Sequence, residues 1–357
     1  MSPTIRQSNM EALRLLAMFF VLALHANFYS LGVPTATQLE SDPLPAILRL
    51  FLEEGCLVAV NVFVLISGWF GINPSWRGAS RLLTQVLFAA AVTFLAYAAY
   101  HGELPPADPV VLALCLGGGW WFVPAYLLLY LLAKPLNAFI AQAAPRQLLR
   151  FTLLYLGLQL VYGTFRDFAN YDCGYSTLSF IGLYLLARYV RLHATGWKRH
   201  AARHYAAAYL LTTLLLTGLY CLTIRYRFPC EPLCLNYNSP LVILSSLTLL
   251  LCFVQLRFTS RAVNWLAGSS FAIYLIHNSP FLRNDYKQLC RYLWQHTDGI
   301  VCLLTFVLTL AGIGLACILT DKLRPLLPFR LTVKAEHAGR REQTGNTPED
   351  TENPHDK

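Results

Sequence analysis

The sequence predicts an all-α fold, a polytopic transmembrane helical bundle of about ten spans. Three observations predict it. Of 357 residues, 56% are hydrophobic and only 13% are charged, whereas about a quarter of the residues of a soluble domain are charged. Mean hydropathy is +0.46. Apolar runs near the twenty residues needed to cross a bilayer as a helix recur along the chain. Lys and Arg are also divided unevenly between the connections.

The spans are read at 11–31, 46–71, 81–101, 119–140, 148–165, 175–192, 205–224, 239–257, 262–282 and 299–322. Ser8 followed three residues later by Glu11 marks the first start as a capping box. The second run ends in Val-Phe-Val-Leu-Ile-Ser67-Gly68, small residues that let helices pack closely. A short surface helix at 110–116 precedes the fourth span. That span opens on Trp120, Trp121 and Phe122, an interfacial aromatic belt, and carries Tyr126, Tyr130, Lys134 and Pro135. Several runs hold Gly or Pro, which spanning helices tolerate. Between the seventh and eighth, the loop 225–239 holds Cys230 and Cys234, a disulfide pair if the loop faces an oxidising compartment. Its length and polarity suit contact with an external sugar or a plain connection. The ninth run ends Ile273-Tyr274-Leu-Ile-His277-Asn278-Ser279-Pro280.

Placing the N-terminus in the cytoplasm and alternating sets Arg6, Arg77, Arg81, Lys134, Arg146, Arg150, Arg188, Arg191, Lys198, Arg199, Arg203, Arg257 and Arg261 inside. Only Arg49, Arg166, Arg225, Arg227, Arg283, Lys287 and Arg291 fall outside. The net charge of +9 is thereby explained as orientation, with both termini cytoplasmic, and nucleic acid is not needed. Residues 1–330 read as the transmembrane domain and 331–357, polar and without apolar periodicity, as a disordered cytoplasmic tail. No cleavable signal peptide is evident. No metal-ligand spacing, Gly-rich phosphate loop or dinucleotide fingerprint occurs, so no metal site and no bound cofactor are expected.

The first span carries the strongest chemical signal. Arg14 and His25 lie inside an apolar helix, where ionisable groups are costly and mark functional sites. Eleven residues at 3.6 per turn bring them to nearly the same face, roughly 16 Å apart along the axis. They are expected to open onto one passage. The plain alternatives are a snorkelling Arg14 paired with Glu11 and a buried, hydrogen-bonded His25. Histidine is the usual general base for an alcohol nucleophile. Ser67 lies in no Gly-x-Ser-x-Gly elbow and is not a nucleophile candidate. Arg77 and Arg81, one turn apart, are either positive-inside anchors or a phosphate clamp.

Taken together the motifs resemble the acyltransferase-3 family, membrane acyltransferases that modify bacterial cell-surface sugars. The resemblance rests on Arg14 with His25 ten residues beyond it, on Phe63 to Ser67-Gly68, on Trp121-Phe122 with Tyr126, Tyr130 and Pro135, and on Tyr274 with His277, in order along nearly the whole chain. It implies an acyl-CoA donor from the cytoplasm, acetyl-CoA first among them, and a hydroxyl acceptor on a glycan or a lipid-linked sugar. It implies catalysis by His25 with Arg14 and donor phosphates on Arg77 and Arg81. The family's pair is Arg-x-x-Arg, whereas here three residues intervene. A related branch reads His-Asp-Asn-Pro where this chain has His277-Asn278-Ser279-Pro280. Glu11, Trp121, Tyr126, Tyr274, His277 and Asn278 are the substrate candidates.

The expected protein is therefore an O-acyltransferase of the bacterial inner membrane, probing acyl-CoA on one side and a surface glycan or its precursor on the other. The rival is a polysaccharide or lipid-linked sugar transporter without acyl transfer. A non-catalytic scaffold ranks last, having no reason to align Arg14 with His25.

Overall fold

The computed structural model describes residues 7–105, 120–164 and 171–326. The expected helix at 110–116, Arg166 and the expected tail at 331–357 lie outside the described residues.

All regular structure among the described residues is helical. The chain runs α1 (Ser8–Ala26), α2 (Phe28–Leu31), α3 (Ala36–Ser41), α4 (Pro43–Cys56), α5 (Ala59–Phe70), α6 (Trp76–His101), α7 (Phe122–Gln142) and α8 (Pro145–Gln159). It continues through α9 (Thr177–Leu192), α10 (Ala202–Tyr226), α11 (Glu231–Leu235), α12 (Pro240–Gln255), α13 (Arg261–Ala267), α14 (Ser270–His277), α15 (Arg283–His296) and α16 (Gly299–Leu323).

Among the described residues, seven stretches are long and apolar enough to cross a membrane: Ser8–Leu31, Pro43–Phe70, Trp76–His101, Phe122–Gln142, Ala202–Tyr226, Glu231–Gln255 and Gly299–Leu326. The protein is a multi-pass helical bundle. The other three predicted spans are helical but short or broken. The fifth is α8 extended by one π-helical turn, Leu160–Thr164. The sixth, α9, has 16 residues, a rise of about 24 Å against a hydrocarbon core of about 30 Å. The ninth divides at Gly268–Ser269 into α13 and α14.

Helix starts follow local chemistry. The Ser75, Ser176 and Ser260 hydroxyls accept from the amides of Gly78, Ser179 and Val263, each capping an orphan donor of the first turn. The Ser8–Glu11 capping box does not form. Gln7 is the N-cap of α1 and makes no side-chain cap. Ser8 Oγ accepts from Ser260 N at 2.9 Å, and Glu11 is drawn to Arg14. The connection 256–260 thereby binds to the start of α1.

α1 is the axis of the bundle. It packs against α2, α4, α5, α12, α13, α14, α15 and α16, and Leu13, Ala17, Leu22 and Ala23 on it are buried. Gly68 of α5 explains the small residues at the end of the second run. A Cβ there would lie 2.8 Å from Ala187 Cβ and 2.9 Å from Tyr184 O, so α5 and α9 meet at a distance only glycine allows.

Candidate active site

The helix of α1 ends one residue after His25. Asn27 leaves helical geometry (φ −85°, ψ −103°) and the chain restarts as α2. A polar network holds the break. Asn27 Nδ2 donates to Arg49 O (2.8 Å) and Glu53 Oε2 (2.9 Å), and Arg49 Nε returns a bond to Asn27 Oδ1 (2.9 Å). Arg49 also donates to the Gly32 carbonyl. Ser30 Oγ donates to the His25 carbonyl, and Arg291 Nε donates to Ser30 O at 2.8 Å. Three polar side chains in a spanning segment are thus satisfied by one another, as burial demands. They fix the turn that aims His25.

His25 Nδ1 lies 2.8 Å from His277 Nε2. The second ring nitrogen of His277, Nδ1, meets the Ile273 carbonyl one turn back on α14. A carbonyl only accepts, so His277 Nδ1 carries the proton. With both rings neutral, His277 Nε2 is then an acceptor and His25 Nδ1 must donate to it. The proton inventory leaves His25 Nε2 with a free lone pair. Tyr286 packs on His277 at 5.3 Å between rings and donates to the Leu22 carbonyl at 2.7 Å, closing the far side. Tyr29 lies 5.1 Å from the His25 ring, and Lys287 Nζ is centred over Tyr29 at 3.5 Å.

His25 opens into a chamber lined with Met18, Val21, Val60, Phe63, Trp121, Phe122, Tyr237, Phe271 and Tyr274. Its volume is about 30 Å³, room for about two waters. Three aromatic rings form its floor. Phe63, Phe122 and Phe271 stand 5.9, 6.0 and 6.2 Å apart in pairs. The roof is Trp121 against Tyr237 (6.2 Å, nearly parallel) and Tyr175 (4.5 Å). Asp172, Cys173 and Gly174, all at positive φ, bend the chain there, and Tyr237 N donates to Cys173 O at 2.9 Å. A Cβ on Gly174 would fall 2.6 Å from Tyr237 Cβ, so this turn needs glycine.

Arg14 does not line the chamber. Its Nη1 bonds Glu11 Oε1 at 2.8 Å, the pairing of the plain alternative. Arg14 is half-buried. The Tyr126 hydroxyl, one turn after Phe122 on α7, is 3.0 Å from Ser67 Oγ, one turn after Phe63 on α5. The chamber reaches down α1 to Met18 and does not reach Arg14. The passage expected between Arg14 and His25 does not show in the chamber, whose lining stops at Met18 on that side.

The remaining sequence candidates fall as follows. Trp121 and Tyr274 line the chamber with His25. His277 has both ring nitrogens engaged within the protein and none facing the chamber. Asn278 caps α14 through its backbone N–H to Tyr274 O at 3.2 Å and does not line the chamber. Arg77 and Arg81 are exposed at the start of α6, beside a loop held by Ser75 N on Tyr130 Oη at 2.8 Å. Cys230 and Cys234 are free thiols. No metal-binding cluster occurs among the described residues.

Sequence reasoning passed over Asn27, Arg49, Glu53 and Tyr286. The signal for two of them was present, since Arg49 and Glu53 are ionisable groups inside an apolar run. Tyr286 gave none, because its contact depends on α15 folding back on α1.

A family model described as an acyltransferase domain matches residues 7–321. No curated protein and no solved structure matches the chain.

Proposed function

The chain belongs to the acyltransferase-3 family and is a multi-pass membrane acyltransferase, and from that premise we propose that it moves an acetyl group from acetyl-CoA to a hydroxyl of a cell-surface glycan or its lipid-linked precursor. On this reading it lies in the bacterial inner membrane with both termini in the cytoplasm, as the Lys and Arg distribution suggests. The observation that carries the reading is the hydrogen-bond order at His25. With His277 accepting from Nδ1, His25 Nε2 keeps a free lone pair in a ring that lines the aromatic chamber. A histidine so held is a general base.

In the proposed step the acceptor hydroxyl gives its proton to His25 Nε2 as its oxygen attacks the thioester carbonyl carbon. A new C–O bond forms, the C–S bond breaks, and the CoA thiolate leaves. His25 then returns the proton to that thiolate, so the base is restored and free thiol is released. His277 supports the imidazolium that forms in between by accepting from Nδ1–H, the role an orienting acceptor plays in other histidine bases. Arg14, which does not line the chamber, orients the donor's arm on its way to His25 rather than the reacting carbonyl.

Acetyl is favoured over longer chains by the chamber's volume of about 30 Å³. Trp121, Tyr175 and Tyr237 are the surfaces on which a sugar ring would rest. In sealed phosphatidylcholine proteoliposomes with acetyl-CoA, free thiol is expected to appear only when the glycan acceptor is present, and the acceptor is expected to gain the mass of one acetyl group. Glycan crossing the bilayer without thiol release would instead establish a transporter.

A further inference from the structure

A second cavity lies at the end of the bundle where α1 begins, with a volume of about 780 Å³. Gln7, the N-cap of α1, and Asn9 on it, Trp69 of α5, Arg191 at the end of α9, Trp197 and Lys198 after it, and 254–259 at and beyond the end of α12 form its walls. Its three cations, Arg191, Lys198 and Arg257, have no carboxylate in ion-pair reach among the described residues. No acidic residue lines it. The Arg191 guanidinium is seated over the Trp69 ring at 4.9 Å, and Trp197 meets Trp69 edge-on at 5.3 Å.

The walls are tied together rather than loose. Asn9 Nδ2 donates to Phe253 O at 2.9 Å, Gln255 Nε2 to Trp197 O at 2.8 Å, and Ser260 N to Ser8 Oγ at 2.9 Å. Three segments distant in sequence are thus fixed around one basic hollow. Three uncompensated positive charges in a preformed concavity attract an anion of several charges. The volume lies within the range of small-molecule sites, and the two indoles give it an apolar wall. A phosphorylated nucleoside has this combination of charge, size and flat ring.

Position narrows the choice. Gln7 and Asn9 stand at the start of α1, Arg14 follows one to two turns on, and His25 is eleven residues further. Along α1 the order is therefore the cavity, Arg14 and the chamber. A ligand whose charged end rests in the cavity and whose remainder runs along α1 passes Arg14 before His25.

We infer that the basic cavity formed by Arg191, Lys198 and Arg257 with Trp69 and Trp197 holds a phosphorylated nucleoside, the nucleotide end of the acyl-CoA donor. This rests on the acyl-transfer reading above and adds to it a site for the donor's charged end apart from Arg77 and Arg81, which line neither this cavity nor the chamber.

The test uses full-length protein in phosphatidylcholine nanodiscs and coenzyme A without an acyl group, titrated by calorimetry. The double variant Lys198→Gln/Arg257→Gln removes two exposed cations and leaves the Arg191–Trp69 stack in place. Its coenzyme A affinity is expected to fall about 10–100-fold. The charge-matched variant Arg146→Gln/Arg150→Gln, exposed on α8, is expected to change affinity by less than about twofold. Equal loss in both variants, or in neither, overturns the assignment. So does loss of phosphatidylglycerol retention with coenzyme A affinity intact, which would make the cavity a lipid-headgroup site. A second arm compares acetyl-CoA with acetyl-N-acetylcysteamine, a donor lacking the nucleotide. The double variant is expected to shift preference at least about tenfold toward the truncated donor. Wild-type protein that binds coenzyme A yet transfers from neither donor would sink the acyl-transfer reading while leaving the cavity assignment standing.

Discussion

The chamber at His25 and the basic cavity at the start of α1 differ in nearly every physical property. One is small, aromatic and closed by packed rings, and contains a single reactive imidazole. The other is large, open and cationic, and contains no group suited to proton transfer. The contrast teaches where a membrane-embedded enzyme can afford charge. A fixed charge at bilayer depth is costly, whereas at the end of the bundle water and the ligand's own phosphates share the load. A neutral imidazole with an ordered proton is what remains usable at depth. On the proposed reading, chemistry and anchoring are separated along α1, with Phe63, Phe122 and Phe271 at the chamber end.

The comparison can be broken most severely at His25. His25→Ala is expected to lower kcat about 10²–10⁴-fold while coenzyme A affinity stays unchanged. A simultaneous loss of affinity would mean that the two regions are not separate. Next comes His277. His277→Ala is expected to cost about 10–100-fold in kcat, and His277→Gln to recover part of it, because a Gln Oε1 accepts where His277 Nε2 does. Equal activity of the two variants would reduce His277 to packing.

Chamber size is tested at Val60. Val60→Ala removes two methyl carbons from its wall, and the rate with butyryl-CoA relative to acetyl-CoA is expected to rise about tenfold, the scale of a methylene or two in an apolar pocket. Stability sharpens the contrast at two further places. Asn27→Ala strands the Arg49 and Glu53 side chains it satisfies and is expected to destabilise the detergent-solubilised protein by about 1–3 kcal/mol in thermal unfolding. Glu11→Gln loses only a partly exposed pair with Arg14. Its effect is expected within about 1 kcal/mol.

The fold class was legible because apolar run length is a strong local signal, and each of the ten predicted spans is helical. Breaks within runs were not legible. The turns at Asn27 and at Gly268–Ser269 are held by side chains far away in sequence or by packing, and no local pattern announces them. Arg14 and His25 stood out as ionisable groups on one stripe, and the structure puts His25 in the chamber wall and Arg14, half-buried, outside it. That three phenylalanines from α5, α7 and α14 would meet in that chamber depends on how those helices cross. The basic cavity was invisible for the same reason. Arg191, Lys198 and Arg257 read as separate orientation signals until α9 and α12 bring their ends beside Trp69.

The account's central claim is the proton order at His25, and nitrogen-15 NMR of histidine-labelled protein measures it directly. Two of the nine histidines are assigned from the spectra of His25→Ala and His277→Gln. Protonated Nδ1 with bare Nε2 on both rings is the predicted result. A His25 carrying its proton on Nε2 would leave that nitrogen no lone pair to act as base, and would contradict the mechanism.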